Sequence, residues 1–169
     1  MKAVAEARRL LVAWFALAGA VALVDLASKR VILAVLRPGQ VLEVTGFFNL
    51  VLAFNRGAAF SFLSDAAGWQ RYAFIAIAVA AIVLIAWMLV RHAHQVAFCL
   101  GLSLMLGGAI GNLWDRLALG HVVDFLDFHA AGYHWPAFNA ADSAITVGAV
   151  ILILEGLRNQ SERTVGRPG

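Results

Sequence analysis

Charge is scarce in this chain. Of its 169 residues 14% are Asp, Glu, Lys or Arg, and only Lys2 and Lys29 are lysines. Soluble domains carry about 25% charged residues, so a water-facing globule is excluded. A hydrophobic content of 62% and a mean hydropathy of +0.82 place the chain in a bilayer. Cysteine is nearly absent: Cys99 alone, inside an apolar run, excludes an internal disulfide and any thiolate metal set. Its expected role is that of a small buried packing residue. The formal charge of +3 is spread along the sequence, with no basic block and no aromatic–basic interleaving, which excludes nucleic-acid binding. There is no internal repeat, low-complexity tract or linker, so one integral membrane domain over residues 1–169 is expected.

What the chain does contain is four apolar stretches. Leu10–Val24 continues through Asp25, Lys29 and Arg30 towards Leu36; Ala73–Val90 carries no charge; Val96–Leu113 has only Ser103 and Asn112 as polar residues; Pro136–Leu154 is the fourth. An 18-residue helix rises about 27 Å, close to the ~30 Å hydrocarbon core. Four spanning helices are therefore expected, at about 10–35, 69–90, 96–116 and 137–157. Lys2, Arg8 and Arg9 before an apolar run ending in Ala16-Leu17-Ala18 resemble a cleaved signal peptide, but the run continues to Val24, and a retained first helix is the reading. With four spans both termini share a side. That side carries Lys2, Arg8, Arg9, Arg91, Arg158, Arg163 and Arg167 on short flanks, whereas Lys29, Arg30, Arg37, Arg56, Arg71 and Arg116 are spread over two longer segments. The denser side is assigned to the cytoplasm.

The two far-side segments differ in character. In Leu36–Gln70, a Pro38-Gly39 turn precedes Val41–Thr45 and Phe48–Phe54, β-branched and aromatic runs around Thr45-Gly46. These predict a short hairpin or small sheet at about 39–62, apolar enough through Phe47, Phe48, Phe54, Phe60 and Phe62 to lie on the membrane. Trp114–Trp135 instead gathers Asp115, Arg116, His121, Asp124, Asp127, His129 and His134. Trp69, Tyr72, Trp114, Tyr133 and Trp135 fall at helix ends, as in an interfacial aromatic belt. The fold class is thus mainly α, four transmembrane helices with a β cradle between the first and second.

The chemistry starts from Asp142, in the opening turns of a helix otherwise suited to lipid. Burying a charge at a helix centre costs roughly 2.5–3.5 kcal/mol or more, and intramembrane ionisable groups are functional by default. Asn139, Asp142, Ser143 and Thr146 recur at helical spacing on one face, and Gly108, Asn112, Asp115 and Arg116 do so on the third helix. Gly107 and Gly111 form a small-xxx-small pair for close helix approach. Ser143 and Thr146 read as helix–helix glue. Asn112, Arg116, Asn139 and Asp142 read as functional, because both polar stripes end at one membrane face with Asp124 nearby. Two carboxylates about 5 Å apart at an effective dielectric of ~20 repel by roughly 3 kcal/mol. One is then ionised and the other protonated near neutral pH, a set-up for activating water on a carbonyl. The helix N-terminus favours negative charge, which assigns the ionised role to Asp142. Spacing alone leaves open which acids pair: Asp127 rivals Asp124, Asp115 has the structural reading of an ion pair with an arginine, and Asp25 reads equally as the partner of Lys29 at i+4.

Asn55-Arg56-Gly57-Ala58-Ala59-Phe60, Gly107–Arg116 (GGAIGNLWDR), Val122-Val123-Asp124-Phe125 and Phe138–Ile145 (FNAADSAI) resemble, in order and spacing, the bacterial lipoprotein signal peptidases, signal peptidase II. The match runs from Asp25-Leu26-Ala27-Ser28-Lys29 to the fourth helix. The resemblance implies an intramembrane aspartyl protease of the bacterial inner membrane with its active site towards the periplasm. Its substrates would be diacylglyceryl-modified prolipoproteins cleaved before the lipidated cysteine. It implies Asp124 and Asp142 as the catalytic dyad, with Asn55, Asn112, Arg116 and Asn139 lining the site and Asp25 and Lys29 supporting it. No cofactor or metal is implied, and membrane lipid and a monomeric state suffice. Three other readings are weaker. The ligand types His121, Asp124, Asp127, His129 and His134 show no H-E-x-x-H spacing for a metalloprotease. A proton or ion carrier using Asp25, Asp124 and Asp142 would place its acids nearer mid-bilayer. In a Ser28–Lys29 protease, neighbours at i and i+1 would not face one another.

Overall fold

The computed structural model describes residues 2–57 and 69–165. The 58–62 part of the expected cradle, with Phe60 and Phe62, lies outside the described residues, as does Arg167. The helices are α1 (Lys2–Val35), α2 (Trp69–Arg91), α3 (Val96–Ala118) and α4 (Ala140–Val165), and all four contain a segment long and apolar enough to cross a membrane. At 34 residues α1 is about 51 Å long, well beyond the hydrocarbon core. Pro38 cannot extend it, and Gly39 at φ +80° turns the chain into the sheet.

Helix α3 is central: it packs on α1, α2 and α4, while α2 barely meets α1. Small residues permit these approaches. Gly101 and Gly148 face each other across α3 and α4, and a Cβ on Gly148 would fall 2.5 Å from the Gly101 carbonyl oxygen. On α3 the stripe Gly107, Gly111 and Asp115 looks to α1, so the expected small-xxx-small contact is made with Ala18, Val21 and Asp25. The stripe Gly108 and Asn112 looks instead to α4. One apolar core, Ala18, Ile85, Leu89, Cys99, Leu102 and Leu106, joins α1, α2 and α3, and Cys99 is fully buried in it. Outward residues such as Ile77, Val83, Ile153 and Leu157 are exposed, as lipid-facing positions are.

Strands β1 (Val41–Thr45), β2 (Phe48–Asn55), β3 (Val122–Ala130) and β4 (Tyr133–His134) form one antiparallel sheet in the order β1-β2-β3-β4, with α2 and α3 between β2 and β3 in the chain. The four-helix and small-sheet class holds, with one correction: the sheet is not confined to the segment between α1 and α2. Half of it comes from Trp114–Trp135, where the sequence pattern left the secondary structure unassigned. The reason is burial on both faces. Val122, Val123, Asp124 and Phe125 are all buried, so β3 lacks the alternation that marks a half-exposed strand. A second core of Ile32, Leu36, Leu52, Val123 and Phe125 seats the sheet on the end of α1. β3 and β4 are joined by Ala131 and Gly132, both at positive φ (50° and 80°), the conformation of a tight two-residue hairpin.

Candidate active site

Helix α4 begins at Ala140, later than its apolar pattern alone suggests, because Phe138 is still bonded into the sheet: its carbonyl accepts from the N–H groups of Phe125 (3.0 Å) and Leu126 (2.8 Å). Asn139 is therefore the residue that caps α4 rather than part of its polar face. Its Oδ1 accepts from the Asp142 N–H at 2.9 Å, and the Asp142 Oδ2 accepts from the Asn139 N–H at 3.3 Å. This reciprocal pair is a capping box. It fixes the Asp142 carboxylate at the positive end of α4, where negative charge is favoured. The neighbouring Ala141 N–H donates to Asp25 Oδ1 of α1 at 2.8 Å. Of the other polar residues on α4, Ser143 bonds back to the Asn139 carbonyl at 2.9 Å and Thr146 is exposed, so neither glues helices together.

Asn139 also reaches across to β3. Its Nδ2 donates to Asp124 Oδ1 at 2.7 Å, with the Asn112 Oδ1 at 3.2 Å and the Val123 carbonyl at 3.3 Å around the same nitrogen. Asn112 Nδ2 donates to Asp142 Oδ1 at 2.8 Å. From β2, Asn55 Nδ2 donates to Asp124 Oδ2 at 3.0 Å. Asp124 and Asp142, on different elements, are thus tied by one amide network supplied by β2, α3 and the α4 cap. Asp124 is buried, Asp142 and Arg116 are half-buried, and Asn55 is exposed, so the site opens on the Asn55–Arg116 side. Burial raises the Asp124 pKa and the Asp142 charge adds to it, while the amides of Asn55 and Asn139 and the Lys29 charge oppose; the result is about 6. Arg116 donates to the Asn112 carbonyl at 3.2 Å and lies in the field of Asp142, Asp124 and Asp115.

Beneath the acids is a buried cation. Lys29 Nζ contacts Asp25 Oδ2 at 2.7 Å, Asp115 Oδ2 at 2.9 Å and Asn112 Oδ1 at 3.0 Å, and its side chain is 2% exposed. Asp25 is the i+4 partner of Lys29, as its spacing suggests. Asp115 pairs with this lysine and not with an arginine, and its Oδ2 also accepts the Val123 N–H at 3.1 Å, fixing the start of β3. No short-range pattern connects Asp115 to Lys29, which is why the sequence reading missed it as a supporting residue. Ser28 donates to the Asp25 carbonyl at 2.8 Å, away from the lysine amine.

Asp127, the rival acid, is committed elsewhere. It accepts from Asn49 Nδ2 and lies 2.9 Å from His134 Nδ1, with the His129 ring stacked on His134. Burial pulls its pKa upward, but the Asn49 hydrogen bond and pairing with His134 outweigh that and leave it lowered. His121 packs on Phe54, its pKa lowered by burial and by the Arg56 charge. Among the described residues no three His, Cys, Asp or Glu side chains converge in a set that could hold a metal ion.

Known proteins share this architecture. Two solved bacterial membrane enzymes superpose with TM-scores of 0.80 and 0.77 at 29% and 31% identity, covering 93% and 86% of this chain and 94% and 92% of theirs. The lipoprotein signal peptidases of Ralstonia nicotianae and Paraburkholderia phytofirmans are each 57% identical over 145 residues, 86% of this chain and 84% of theirs. Residues 17–158 match the family described as signal peptidase (SPase) II. With its four apolar helices, its small sheet and its capped acidic site, this chain belongs to the signal peptidase II family.

Proposed function

We propose that the chain is an intramembrane aspartyl endopeptidase that removes the signal peptide from diacylglyceryl-modified prolipoproteins, cleaving before the lipidated cysteine. One observation carries this reading: Asp124 and Asp142 meet through the shared amides of Asn139 and Asn112. In the proposed step the Asp142 carboxylate takes a proton from water as the water oxygen bonds to the scissile carbonyl carbon. Protonated Asp124 gives its proton to the carbonyl oxygen. Collapse of the tetrahedral adduct breaks the C–N bond: Asp142 passes its proton to the leaving amine while ionised Asp124 takes back the proton of one adduct hydroxyl, which restores both acids. Arg116 and Asn55, on the open side, hold substrate backbone carbonyls.

The depth suits such a substrate. Asp142 is the third residue of α4, only ~3 Å below the helix start, within reach of interfacial water. A diacylated precursor is confined to the leaflet, so its scissile bond lies near the same level. In this reading the protein sits in the bacterial inner membrane with both termini cytoplasmic and the site at the periplasmic face. One chain supplies both acids, so a monomer suffices. The carrier alternative needs Asp25 as a free relay, whereas its carboxylate is held by Lys29 and the Ala141 N–H.

The test is a gel-shift assay on a prolipoprotein with and without its diacylglyceryl group. Only the modified precursor is expected to be cleaved, with cysteine at the new N-terminus; equal cleavage of both would refute the substrate assignment. A pH profile tests the acid role of Asp124. Since Asp124 must be protonated to donate, kcat/KM is expected to fall as pH rises through about 6. The Asn55 amide stabilises the ionised form. Asn55→Ala therefore raises the Asp124 pKa and moves the alkaline limb to higher pH. An unmoved or acid-shifted limb would rule this role out.

A further inference from the structure

Helix α2 contributes none of the residues assigned to the site so far, yet its first turn grips the end of α3 at two points. Arg71 donates from Nε to the Arg116 carbonyl at 2.9 Å and from a terminal nitrogen to the Leu117 carbonyl at 3.0 Å. These bonds satisfy carbonyls at the C-terminal end of α3 and place a cation where the helix dipole favours one. One turn further along α2, on the same face, the Phe74 ring lies under the Arg116 guanidinium, 5.4 Å from Cζ to centroid. Phe74 also fills the space beside Gly57, where any Cβ would collide with its ring. Gly57, at φ +94°, donates its N–H to Asn55 Oδ1 at 2.8 Å, and Asn55 holds Asp124.

From this geometry we propose that Arg71 and Phe74 are positioning residues for the peptidase reaction: they form a platform on α2 that aims the Arg116 guanidinium at the dyad. Arg71 sets the backbone of Arg116, and Phe74 sets the plane of its side chain. The guanidinium then spends one donor on the Asn112 carbonyl and presents the others to the substrate. A leucine at 74 keeps the apolar volume but offers no π-face, so the guanidinium loses its shelf. Misplacing a substrate-positioning group by about 1 Å lowers rates by up to ~10²-fold.

This inference rests on the dyad reading above, so the experiment carries a control for each. Turnover of a diacylated prolipoprotein is measured for Phe74→Leu, Arg116→Gln, the double variant and Asp124→Asn, with thermal midpoints recorded in detergent. Phe74→Leu is expected to lower kcat about tenfold with KM changed less than twofold and the midpoint little moved. In the Arg116→Gln background the same substitution is expected to change kcat less than twofold, since its effect is transmitted through that arginine. Multiplicative losses in the double variant, or wild-type turnover in Phe74→Leu, would overturn the proposal. Turnover retained by Asp124→Asn would overturn the dyad reading instead. Should Phe74→Leu not fold, Arg71→Gln enters the same cycle, because it removes the two donors without opening apolar space. Its coupling to Arg116→Gln decides the matter by the same criterion.

Discussion

On the proposed mechanism, Asp124→Asn is expected to lower turnover of a diacylated prolipoprotein by about 10⁴-fold, and Asp142→Asn to do the same, while the thermal midpoint moves by only a few degrees. The magnitude follows from the division of labour. In the proposed mechanism each carboxyl group serves in both proton transfers, and a positioned acid or base contributes about 10²–10⁴-fold. An amide can do neither. It does preserve the hydrogen-bonding frame: asparagine at 142 still offers an oxygen to the Asn112 amide or to the Asn139 N–H of the capping box, and asparagine at 124 still accepts from Asn55 or Asn139. The loss is therefore one of chemistry and not of folding. Single-turnover kinetics beside thermal melts in detergent check it. Either variant cleaving within tenfold of wild type would remove the dyad from the mechanism.

Lys29→Met has the second large effect, and here stability is what fails. The lysine amine is the buried counter-charge of both Asp25 and Asp115, at 2.7 and 2.9 Å. Removing one partner of a buried ionic cluster leaves uncompensated charge and costs about 3–5 kcal/mol. For a chain of this size that lowers the thermal midpoint by about 10 °C. Asp25 also holds the Ala141 N–H and Asp115 holds the Val123 N–H, so the ends of α4 and β3 that carry the two acids loosen together and turnover falls as well. A second substitution, Asp115→Asn, relieves the excess negative charge and recovers part of the lost midpoint. A Lys29→Met protein melting within 2 °C of wild type would show that the cluster contributes little.

How far the sequence reached can be judged from particular residues. The four spans were legible because lipid-facing helices need apolar side chains on nearly every face, a one-dimensional signal. Asp142 was legible for the converse reason, as a carboxylate where a carboxylate is costly. The pairing of Lys29 with Asp25 was legible at i+4. Strand β3 was not, because burial on both faces removes the period-2 alternation. The start of α4 was misplaced because Phe138, apolar like the helix that follows, is bonded to β3.

By itself the sequence determined the solvent in which this protein folds, the four apolar spans among the described residues, and the small set of polar residues that had to find partners in or near lipid. Which residues they found was decided only in three dimensions. Asn139 lies 15 residues from Asp124, Asn112 lies 30 from Asp142, and Asp25 lies 116 from Ala141. Contacts at such separations leave no periodic trace in the chain. They arise because small residues let α3 approach its neighbours closely, and because each buried amide and carboxylate must then be satisfied by whatever the packing brings within reach.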